Sequence, residues 1–110
     1  MIFKRKNATE VIRDGFTAHV YNSKEEYSAL NTVYVDCHTS HERVFVKESH
    51  RVYFVIEGSG IFDIGDETHE VEKDDVIVIE PKTEYAYKGK MKLFELNSPA
   101  TGSEDEVEVK

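Results

Sequence analysis

The sequence is poor in the residues that staple or interrupt a chain: it has one cysteine, two prolines and no tryptophan in 110 residues. A lone cysteine, Cys37, closes no internal disulfide and builds no cysteine-rich zinc site. Nothing near it in sequence would lower its pKa, so it is expected to be a small buried residue. Cations are also scarce, 14 Lys and Arg against 22 Asp and Glu, for a formal charge of −8. Nucleic-acid binding is thereby disfavoured, because phosphate contacts need clustered cations, and so is an anionic membrane surface. No apolar run approaches the roughly 20 residues of a membrane span. The opening MIFKRKNATE is charged and lacks an apolar core, so no signal peptide is expected. One cytoplasmic domain over residues 1–110 is the expectation, since chains this short rarely split their core.

What is present is a succession of short β-prone runs. TAHVY (17–21), TVYVDCH (32–38), RVFVK (43–47), VYFVIE (52–57), IFDI (61–64), THEVE (68–72), VIVIE (76–80), EYAYK (84–88) and MKLFEL (91–96) are rich in β-branched and aromatic residues. Turn residues punctuate them: Gly58-Ser59-Gly60, Gly65-Asp66-Glu67, Lys73-Asp74-Asp75, Pro81-Lys82-Thr83 and Gly89. Residues 7–14 and 24–30 read as short helical turns. Strands at this spacing predict an all-β antiparallel sandwich or barrel. The core is expected over about 16–99. Five cations against two acids in residues 1–24, and four acids against one lysine in 100–110, mark two charged ends. They are expected to be solvated and frayed, or else to attract each other or a partner's ends.

The segment 51–99 resembles the cupin superfamily, in particular its small single-domain members. The resemblance rests on RVYFVIEGSG, on IFDIGDETHEVEKDDVIVIEPKTEYAY and on KGKMKLFEL, a little under half of the chain. It implies a double-stranded β-helix, or jelly-roll barrel, and a homodimer. It also implies positions for a metal: a His pair, then a Glu, then a His in the second motif. In this sequence the Glu position falls on Arg51. The His pair falls on Phe45 and Lys47 or on Val44 and Val46, and the last His on Tyr85. None of these is a ligand of the expected kind, and Arg51 would repel a cation outright. His38 and His41, three apart beside Cys37, are the remaining cluster, with His69 on another strand. That spacing is diagnostic on a helix but not on a strand end. No metal and no cofactor is therefore expected.

If Arg51 points into the barrel's cup, period-2 alternation sends Tyr53 and Val55 the same way. Tyr85 and Tyr87 share one face of their own strand, and Lys47 stands at the rim. Arg51, Tyr53, Tyr85, Tyr87 and Lys47 are thus the candidate ligand-binding residues. A guanidinium suits a small carboxylated or phosphorylated metabolite, and tyrosines supply flat walls and hydroxyls. Arg51 must otherwise be paired internally, with Glu80, Glu84 or Glu95 as candidates, because an unpaired buried charge costs several kcal/mol. The opposite face, Val52, Phe54 and Ile56, is apolar and suits a dimer contact or cover by the chain's own N-terminal segment. The leading functional expectation is a metal-free module binding a small anionic metabolite. The alternative is a metal-independent sugar or sugar-phosphate isomerase or epimerase, for which no general base stands out in the sequence. A metal-dependent cupin enzyme is the least favoured.

Overall fold

A computed structural model describes all 110 residues. Ten strands alternate with short turns: β1 Thr9–Ile12, β2 Phe16–Val20, β3 Asn31–Cys37, β4 Ser40–Val46 and β5 His50–Ile64. They continue as β6 Glu67–Glu72, β7 Val76–Ile79, β8 Tyr85–Lys88, β9 Met91–Ser98 and β10 Glu106–Glu108. All pairings are antiparallel. One sheet runs β1-β2-β3-β9-β5-β7 and the other β6-β5-β8-β4-β10, so β5 is shared by both. The two curl into a cupin-type jelly-roll barrel.

β5 passes between the sheets where its register with β9 slips, between Val55 and Glu57, and where Gly58 takes a φ of 88°. Only glycine adopts that conformation without strain. The expected turn at Gly58-Ser59-Gly60 is therefore a bend inside one 15-residue strand. Residues 9–12, read from sequence as part of a helical turn, pair with β2 as β1. Residues 24–30 form turns and bends without a helix.

Period-2 burial is clear in β3, whose Asn31, Val33, Val35 and Cys37 are buried, and in β9, whose Met91, Leu93, Glu95 and Asn97 are. Along β9 the inward side chains pass from apolar to polar. The barrel therefore has a dry end around Tyr53, Val55, Phe62, Met91 and Leu93, all at most 2% exposed, and a polar end around Arg51, Glu95 and Asn97. Each large apolar side chain buried at the dry end contributes roughly 1.5–3 kcal/mol.

The acidic C-terminal segment is not frayed. β10 pairs with β4, and Lys24 Nζ meets Glu104 at 2.6 Å and Asp105 at 3.0 Å. The two charged ends thus attract each other within one chain. No helix is long and apolar enough to cross a membrane.

Candidate functional site

Between the sheets, at the polar end, lies a cavity of about 540 Å³ whose wall includes Arg51, Tyr87, Glu95, Glu106 and His41. Four of the five sequence-predicted residues come together inside the barrel, Arg51 and Tyr87 in the cavity wall and Tyr53 and Tyr85 packed behind it. Arg51, Tyr53, Tyr85 and Tyr87 are all at most 4% exposed. Lys47 is not with them: it follows β4 as an exposed residue, and its backbone N–H donates to the Asp105 carbonyl. Lys24 takes the rim instead.

Arg51 is held by the chain itself through Nε and Nη1, while Nη2 has no partner within the chain. Its Nε donates to Asn97 Oδ1 at 2.5 Å, and its Nη1 donates to Tyr85 Oη at 2.7 Å and to Glu106 Oε1 at 2.6 Å. Glu95 Oε2 lies 3.6 Å from Nε and accepts from Asn97 Nδ2 at 2.9 Å. Of the three expected partners, Glu95 is the one used. Glu84 pairs with Arg43 and Glu80 sits by His50. Burial works against the guanidinium's charge, but Glu95, with Glu106 and the tyrosine oxygens, outweighs it and holds Arg51 firmly protonated.

Tyr53 and Tyr85 share a hydrogen bond of 2.6 Å between their hydroxyls. Burial raises both above the ordinary tyrosine value; Glu95 adds to the rise at both, whereas Arg51 opposes it. Tyr87 differs in one respect: its hydroxyl is buried and has no hydrogen-bond partner. Burial raises its pKa as well. A phenol that resists ionisation is a hydrogen-bond donor rather than a source of protons.

His41 completes the site and was weighed from sequence only as a metal ligand. Its ring is 7% exposed and stacks on Phe16 at 4.6 Å and on Tyr87 at 4.9 Å between centroids. Its Nδ1 lies 2.7 Å from the Glu42 carbonyl oxygen, which can only accept, so Nδ1 carries a proton and, in the neutral ring, Nε2 has the lone pair. The cause of its inward position is a β-bulge. His41 opposes Tyr87 and Val44 opposes Tyr85, so three residue steps on β4 face two on β8. Without that extra residue, alternation from buried Val44 would turn His41 outward.

The residues present do not fit the cupin metal. Val44 and Val46 are the buried pair at the His positions, and Arg51 and Tyr85 occupy the others. His38 and His69 are surface residues beside Asp36 and Glu67, and no three His, Cys, Asp or Glu side chains are grouped closely enough to hold an ion. Cys37 is buried, and its thiol is pushed up to about 11 by burial and then by the charge of Asp36.

No protein-family model matches the sequence, and no curated protein does. Solved structures do match. Streptomyces Pac13, described as a unique nucleoside dehydratase, superposes with a TM-score of 0.91 at 23% identity over 100% of this chain and 91% of that one. A His→Gln variant and two Tyr→Phe variants of it, each with uridine, match equally well, with TM-scores of 0.91. KdgF from Halomonas matches with a TM-score of 0.78 at 13% identity over 94% of this chain and 96% of that one. Oxalate decarboxylase from Bacillus subtilis gives 0.88 at 12% identity, over 97% of this chain and 31% of that one. By its barrel and by these likenesses, the chain has the fold of a small single-domain cupin.

Proposed function

We propose that the chain is a metal-independent acid–base enzyme that removes water from a small hydroxylated molecule of nucleoside type held in the cup. The observation that carries this reading is His41. It is seated among aromatic rings with Nδ1 fixed as a donor and Nε2 free, its ring stacked on that of Tyr87, whose hydroxyl has no partner. This is the base that the sequence did not reveal.

The chemistry balances with this chain's groups alone. His41 Nε2 takes a proton from a carbon made acidic by a neighbouring carbonyl of the substrate. The electron pair of that C–H bond becomes a C=C bond, and the C–O bond at the next carbon breaks. The departing hydroxide takes the proton back from Nε2 and leaves as water, and the imidazole is neutral again. Tyr87 donates a hydrogen bond to the departing or carbonyl oxygen without losing its proton. Phe16, His41 and Tyr87 line the cup with flat rings suited to a planar base. The residue types changed in the uridine-bound Pac13 structures, one histidine and two tyrosines, are those that meet here, which supports the reading.

A metal-free binding module without chemistry is the second reading. Its anionic-ligand form needs a free Arg51, and the pairing of Arg51 with Glu95 and Glu106 speaks against that form. We further infer that the barrel works as a homodimer through the outer face bearing Phe54. The function is tested by titrating uridine into wild type, His41→Gln and Tyr87→Phe by calorimetry, then screening uridine derivatives carrying a carbonyl next to the ribose for loss of one water by mass spectrometry. Wild type is expected to bind and to turn over a member of that set. His41→Gln is expected to bind within about threefold and to lose at least about 100-fold in rate. Water loss that survives in His41→Gln would overturn the assignment of the base.

A further inference from the structure

The cup carries an electrostatic preference that the acid–base reading does not use. Six glutamate carboxylates line it against three cations, Arg13, Lys24 and Arg51. Two of those cations are already paired, Lys24 with Glu104 and Asp105, and Arg51 with Glu95 and Glu106. The wall is therefore three charges negative, and little positive charge is left to offer a ligand.

Two of the carboxylates are held in fixed positions. Glu95 is 7% exposed, and both its contact with Arg51 and its bond from Asn97 fall on Oε2. Glu106 meets Arg51 through Oε1. In each, the second oxygen has no hydrogen bond within the chain, and neither counts among the buried atoms lacking a partner, so both remain accessible from the cup. A third group points to a ligand independently: the Tyr87 hydroxyl, buried in the same wall with no partner. An ionised carboxylate accepts but cannot donate, so its partner must bring O–H or N–H groups. Hydroxyl donors to carboxylate make short, strong bonds.

We propose that Glu95 and Glu106, pinned by Arg51, form a hydroxyl-recognising pair, and that the cup selects an uncharged diol-bearing ligand over its phosphorylated form. This rests on the nucleoside reading above and adds its specificity. A vicinal diol offers two donors to two acceptors. A phosphate offers no donor when ionised and meets a wall of its own sign. The acidic C-terminal strand β10 is then part of the site, because it delivers Glu106.

Isothermal titration of wild type with uridine, 2′-deoxyuridine and uridine 5′-monophosphate tests this without any variant. Uridine is expected to bind at least about tenfold tighter than either competitor, the loss of one charge-assisted hydrogen bond. In Glu106→Gln, the gap between uridine and its monophosphate is expected to shrink several-fold. Equal or tighter binding of the monophosphate, or indifference to the missing hydroxyl, overturns the proposal and leaves the acid–base assignment standing. If none of the three binds wild type, the nucleoside reading falls and the specificity proposal falls with it. If Glu106→Gln does not fold, the wild-type comparison decides alone.

Discussion

Arg51 and Tyr87 are neighbours in the cup with opposite energetic roles. Arg51 is a buried charge whose partners are all internal, so removing it leaves Glu95 buried and uncompensated. Arg51→Ala is expected to destabilise the fold by about 3–5 kcal/mol, read from chemical denaturation midpoints. A loss below about 1 kcal/mol would mean that solvent already screens the pair. Tyr87 carries a buried donor that satisfies nothing. Tyr87→Phe removes an unmet desolvation cost and keeps the ring stacked on His41 and Phe62. The variant is expected to be as stable as wild type or more so by about 1 kcal/mol, while catalysis falls. Stability and activity moving in opposite directions is the mark of a group kept for a ligand. A marked loss of stability would point to a structural partner for that hydroxyl.

At the scale of elements, β10 is the strand whose attachment depends on charge. Its short pairing with β4 is backed by Lys24 with Glu104 and Asp105, and by Glu106 with Arg51. The Asp105 carboxyl is lowered below its usual 3.8 by the Gly102 N–H and then by Lys24, and Glu104 is lowered below its usual 4.5 chiefly by Lys24. For carboxyls lowered in the folded state, the stabilisation is present above the unfolded values and fades as pH falls through the folded ones. Amide exchange in residues 103–109 is therefore expected to accelerate as pH drops from about 5 to about 3 by more than intrinsic chemistry allows, while β9 stays protected. Parallel behaviour of the two segments would show that β10 opens only with the whole barrel.

For the whole molecule, the outer face of the larger sheet is unusually apolar. Phe54 lies opposite both Val76 and Phe94, and Val52 opposite Val78. Phe54, Phe94, Val76 and Val78 are 37–60% exposed. The N-terminal segment does not shield these four side chains from solvent. A second copy of the chain is the occupant we propose, and light scattering at micromolar concentration is expected to give a dimer mass. Val78→Glu with Phe54→Glu is expected to shift it to monomer without unfolding. A monomeric wild type would refute the dimer.

The succession of strands between residues 16 and 99 and the inward row Arg51, Tyr53, Val55 were legible in the sequence, because they follow from period-2 patterning and turn residues, which are local; the barrel class came with the cupin resemblance. The replacement of the usual cupin ligands was legible too, since residue types at known offsets suffice to see it. Lys47 was misplaced because Val44 and Val46 are the inward positions of β4, so alternation turns residue 47 outward, and the strand has ended by then. His41 could not be placed at all. A bulge depends on the register between β4 and β8, and register is a relation between two strands that neither strand contains. The closure of the ends is of the same kind: opposite charge in residues 1–24 and 100–110 can be read from the chain, but only folding brings Lys24 to Glu104 and Glu106 to Arg51. Local patterning and the family resemblance were enough to draw the container and its aromatic content. Folding set the ion pairing of Arg51, the inward seat of His41 and the negative wall, because each depends on which distant residues share a few ångströms.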